Sequence, residues 1–115
     1  MRTIAFIVVL GLGWASPVAN QGQTFRSYGG DGSCGAFSAS TGPQRVALED
    51  WLFGFISGVG WARIGVGPAM ALTDGDGALA WVIKHCAENP LKPFSGAVIS
   101  LVHELQARAP RPDRQ

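Results

Sequence analysis

Two cysteines, Cys34 and Cys86, constrain this chain more than any other feature. They stand about 50 residues apart, and a bridge between them would close a loop over most of the folded part of the chain. Cys86 ends an apolar face. Within Ala78 to Pro90, Leu79, Val82, Ile83 and Cys86 fall at i, i+3, i+4 and i+7, the spacing of one side of a helix. A bridge would fix that helix to the N-terminal segment. The alternative is a pair of free thiols or one reactive thiol, although nothing in the sequence beside either cysteine would activate a thiolate.

The choice between them depends on the compartment. Arg2 is followed by an uncharged apolar run from Ile4 to Trp14 and then by small residues, which is the anatomy of a secretory signal. The run is short for a membrane span. Residues 1–19 are therefore read as a signal peptide, cleaved after Ala15 or Ala19, the competing reading being an uncleaved anchor. Export places the protein in the periplasm or outside the cell, where an isolated cysteine pair oxidises to a disulfide. On chain-entropy grounds such a bridge contributes about 4 kcal/mol. No stable membrane span is expected after signal removal.

Charge narrows the partners. The full chain carries a formal net charge of +1, and loss of Arg2 leaves basic and acidic residues equal in number. There is no basic patch to displace counterions from nucleic acid, so nucleic acid is not expected as a partner. Nor is there a polybasic stripe for anionic lipid.

Residues 20–42 form a Gly-rich segment that carries Cys34, with Gly29, Gly30, Gly32 and Gly35 around it. No Lys-Ser or Lys-Thr follows at phosphate-loop spacing, so the segment reads as a flexible lead-in to the cysteine. The helical domain is placed at 43–108. Thr41, Pro43 and Gln44 give a helix start with a capping box. Leu48, Trp51, Leu52, Phe55, Ile56 and Val59 then mark an amphipathic helix. Gly54 and Gly58 beside that stripe predict close approach of another helix, because each costs about 1 kcal/mol against alanine.

Gly60 to Asp74 reads as a connection with one short helical turn near Ala69 to Leu72. Trp61, Ile64, Val66, Met70 and Leu72 make it apolar enough to be either cover for the core or a contact surface. Should a surface be used for binding, Trp61, Arg63 and Met70 are the candidate partner-binding residues. Thr73 with Asp76 predicts the cap of the next helix. The Asp-Gly-Asp-Gly string is not a calcium loop, since counting from Asp74 puts His85 where an EF-hand needs glutamate. Asn89-Pro90 ends that helix, and Phe94, Ala97, Val98, Leu101, Val102 and Leu105 line the last one. Residues 109–115 read as a disordered tail. The expected fold is all-α, a small bundle of three to four helices with one disulfide. Trp51, Phe55, Trp81 and Phe94 are expected to fill its core.

No catalytic constellation is found. His85 and Cys86 are helix neighbours that point about 100° apart, and His103 with Glu104 meets the same objection. His85 and Glu88 offer two ligands at most, short of a metal site. Both histidines are expected on solvent faces. The reading is a protein that is not an enzyme, with no metal and no cofactor.

The early Cys34-Gly35, the WLFGFISG helix and the W-V-x-K-H-C-x-x-N-P segment resemble the small periplasmic HdeA/HdeB-like helical proteins over roughly Cys34 to Arg108. That resemblance implies one disulfide between Cys34 and Cys86, a helical fold that is often dimeric, and protein binding as a periplasmic stress chaperone that exposes apolar surface in acid. The GFISG helix with its following Asn-Pro also resembles the Tai/Rap-type immunity proteins of type VI secretion. These imply a periplasmic dimer that binds and blocks a cell-wall amidase. Either way the expected partner is another protein, a client or a toxin, with a homodimer as the implied assembly.

Overall fold

A computed structural model describes residues 28–63 and 66–110. The signal peptide expected at 1–19, Ile64 and most of the tail expected at 109–115 lie outside the described residues. Five helices follow one another: α1 (Cys34–Ala39), α2 (Gly42–Ala62), α3 (Gly67–Met70), α4 (Gly75–Glu88) and α5 (Phe94–Arg108). The fold is all-α, and among the described residues the only extended pairing is an isolated bridge between Ser33 and Pro93. No described helix is long and apolar enough to cross a membrane.

Cys34 and Cys86 are bonded to each other, and both are fully buried. The bond joins the first turn of α1 to the last turn of α4. A disulfide of this kind is compatible with an oxidising compartment.

The lead-in is more ordered than its glycines predict. Ser33 caps α1, its hydroxyl accepting from the Ala36 amide at 3.0 Å. The backbone of the α4–α5 connection holds the same segment. Cys34 N–H donates to the Lys92 carbonyl (2.7 Å), Gly35 N–H to that of Pro90 (2.9 Å), and Phe94 N–H to that of Gly32 (3.0 Å). A Cβ at position 35 would stand 3.2 Å from the Pro90 oxygen, so the glycine there permits the close approach.

This docking brings Phe37 into the core. Its ring stacks on Phe94 with centroids 4.5 Å apart, and both are buried. The guanidinium of Arg45 lies 4.0 Å over the Phe37 ring while it donates to the Phe37 carbonyl and to Glu49, tying α1 to α2. The expectation that Trp51, Phe55, Trp81 and Phe94 fill the core holds for Phe94 alone. Trp51, Phe55 and Trp81 are half-buried and pack against the core from its edge. Phe37 takes the central place because α1 enters between α4 and α5, next to the disulfide.

The last helix follows its pattern in full. Phe94, Ala97, Val98, Leu101, Val102 and Leu105 are all buried. In α4, Val82 and Cys86 are buried, but Ile83 on the expected face is 41% exposed. Helix α2 differs more. Leu48 and Leu52 are buried, whereas Trp51, Phe55, Ile56 and Val59 are covered only in part. Gly54 and Gly58 were expected to admit a neighbouring backbone, yet a Cβ on either would meet nothing within 4 Å. Close packing against glycine occurs elsewhere. A Cβ on Gly30 would come within 2.7 Å of the Trp51 indole, so the strand of lead-in lies flat on that ring.

Two helix starts also differ from expectation. Thr41 is the N-cap of α2 but its side chain makes no capping hydrogen bond. At α4 the cap is Asp74 and not Thr73, with Oδ1 of Asp74 accepting from the Gly77 amide at 2.8 Å. A carboxylate at that position also suits the positive end of the helix dipole.

Candidate functional site

The second half of α2, from Trp51 to Ala62, contains no charged residue. Its large apolar side chains are spread around the helix instead of gathered on one side. A helix of that kind is stable when it is covered on all sides. Here the covering is incomplete: Phe53, Phe55, Ile56 and Val59 are half-buried, and Trp61 is 91% exposed.

Beside this half-helix lies a groove of about 520 Å³. Phe53, Ile56, Ser57 and Gly60 of α2 form one wall. Gly67 and Met70 of α3 close one end, and Thr73, Asp74, Gly75 and Ala78 at the start of α4 form the opposite wall. The volume falls within the range of about 300–1,000 Å³ typical of ligand pockets.

Glycines set the dimensions of the groove. A Cβ on Gly67 would stand 3.2 Å from the Gly60 carbonyl oxygen, and one on Gly60 would stand 3.2 Å from the Met70 side chain. Helix α3 can therefore lie close against the end of α2. On the other wall, a Cβ on Gly75 would meet the Phe53 ring at 3.4 Å. Asp74 is the charged residue of the lining, and Ser57 and Thr73 bring hydroxyls. The Thr73 hydroxyl donates to the Asp74 carbonyl at 3.3 Å. The chemistry of the groove is thus an apolar floor with acceptors along its edge.

Of the three residues expected to bind a partner, Met70 is buried and lines the groove. Trp61 is exposed at the end of α2, and Arg63 is exposed at its C-cap; neither lines the groove. The groove residues Phe53, Ile56, Ser57, Gly60 and Asp74 are not marked as a site by the sequence. The available signal is the run of apolar residues around α2 together with the paired breaks at Gly60 and Gly67.

The titratable candidates stay apart. Cys86 is consumed in the disulfide, so it offers no nucleophile beside His85. His103 is exposed, as expected. His85 differs from expectation: it is half-buried, stacked on Trp81 with centroids 4.9 Å apart, and its Nε2 is buried with no hydrogen-bond partner. The broad face of the indole shields one side of the imidazole, which periodicity alone does not reveal. Among the described residues, no group of three His, Cys, Asp or Glu side chains could hold a metal ion.

Comparison with protein-family models, with curated proteins and with solved structures finds no match to this chain.

Proposed function

We propose that this protein is an exported, non-enzymatic helical protein that acts by binding another protein across the groove between α2, α3 and the start of α4. One observation carries this reading: a charge-free half-helix is left partly uncovered along an apolar groove, in a fold tied by a buried disulfide. Export is supported by the charged, apolar and small-residue order of the N-terminus and by the disulfide.

The two resemblances imply different kinds of protein binding, and the ion pairs bear on the choice. An acid-triggered chaperone needs carboxylates whose protonation loosens the fold. Glu49, Glu88 and Glu104 pair with Arg45, Lys84 and Arg108 one helical turn away. Such pairs contribute about 0.3–0.5 kcal/mol each. Losing all three is too little to open the core, which favours recognition of a particular protein at neutral pH, as an immunity protein would do.

A photo-crosslinking residue at Ser57, expressed in the exporting cell, tests the reading, with the same residue at Ala87 near the far end of α4 as control. One dominant protein adduct at neutral pH, specific to position 57, is the expected result. Many adducts that arise only on acidification would indicate the chaperone kind. Equal labelling from both positions, or none from Ser57, would refute protein binding at the groove.

A further inference from the structure

We infer that the segment of the partner seated in the groove inserts one large apolar side chain flanked by a lysine or arginine. The inference rests on the protein-binding reading above and adds the chemistry of the partner. The apolar part follows from the floor, where Phe53, Ile56 and Met70 meet. A polar insert would leave its own groups without hydrogen bonds against those side chains.

The basic part follows from the distribution of charge. Arg45, Lys84 and Arg108 are each engaged by a glutamate of their own helix, and Arg63 and Lys92, which are in no ion pair among the described residues, do not line the groove. Asp50, Asp74 and Asp76 are in no ion pair among the described residues, and all three are exposed. They lie on the two elements that wall the groove: Asp50 stands one turn before Phe53 and Gly54 on α2, while Asp74 and Asp76 open α4. Asp74 itself lines the groove and gives one oxygen to the Gly77 amide, leaving the other to a ligand. A cation held beside an apolar side chain meets both features, in the manner of complementary interfaces. A second copy of this chain fits less well, because pairing like faces would bring the same carboxylates together.

Peptides selected from a random phage-displayed library against the oxidised protein provide the probe, followed by fluorescence anisotropy of the selected peptides. Two variants leave the fold in place. Asp74→Asn keeps an equivalent cap and removes the charge. Ser57→Trp places bulk over the groove from an exposed helix position. Selected peptides should carry an aromatic or large aliphatic residue within one helical turn of a lysine or arginine. Asp74→Asn should weaken them about tenfold and flatten their salt dependence, and Ser57→Trp should abolish binding. Peptides without a basic residue, no selection at all, or an unchanged affinity for Asp74→Asn would overturn the inference. Peptides that bind Ser57→Trp as well as wild type would overturn it too, by placing recognition elsewhere while protein binding stands. A wild-type dimer in sedimentation equilibrium that Ser57→Trp dissociates would assign the groove to a second copy and overturn it as well. Loss of the Ser57 crosslink in cells, by contrast, removes the underlying reading of the groove.

Discussion

Replacing Cys34 and Cys86 together by alanine removes the one covalent tie between α1 and α4. The cysteines are separated by 52 positions in the chain, and the closed ring contains α1, α2, α3 and most of α4. Opening a ring of that size returns conformational entropy to the unfolded chain worth about 4 kcal/mol. The two missing sulfurs leave unfilled space among buried neighbours, which adds about 1 kcal/mol. Other contacts also hold α1, burial of Phe37 accounting for about 1.5–3 kcal/mol. The total loss is therefore about 5 kcal/mol, against a stability of about 5–15 kcal/mol for an ordinary small domain. In urea, at a slope of about 1.5 kcal/mol per molar, the midpoint should fall by about 3 M. Far-UV circular dichroism measures it, and the reduced, alkylated wild type serves as a second form of the same perturbation. A fall of less than about 1 M at unchanged slope would refute the reasoning, because the cross-link would then not be restricting the unfolded ensemble.

Phe37→Ala should cost about 3–5 kcal/mol in the same denaturation assay, since it removes the ring stacked on Phe94 and leaves a cavity under α1; a cost near zero would mean α1 is not packed as described. Gly54→Ala and Gly30→Ala should move in opposite directions. The first should stabilise by about 0.5–1 kcal/mol, because the position is helical and open. The second should destabilise by about 1–3 kcal/mol through collision with Trp51, and equal effects from the two would contradict the packing. Asp74→Ala should lower stability by about 1 kcal/mol while Asp74→Asn stays near wild type, as read from thermal melts, because only alanine removes the acceptor for the Gly77 amide.

The sequence alone determines where the long helices run and which side of α5 is buried. Phe94, Val98, Leu101 and Leu105 repeat at helical spacing with polar residues opposite, so one face has no other place to go. It also singles out Cys34 and Cys86, because two cysteines have one intramolecular pairing available. Tertiary structure decides the rest. The sequence places Phe37 within a glycine-rich lead-in, and it becomes central only when the 90–94 backbone captures α1. Gly54 and Gly58 look like a packing seam in one dimension, yet they face open space while Gly60 and Gly67 make the close approach. The groove follows from the same limit. Periodicity says which face of a helix is apolar, but α2 is apolar around most of its circumference, and what covers it depends on contacts with residues distant in the chain. Helix α3 and the start of α4 cover part of it, and the part they leave uncovered is the candidate site.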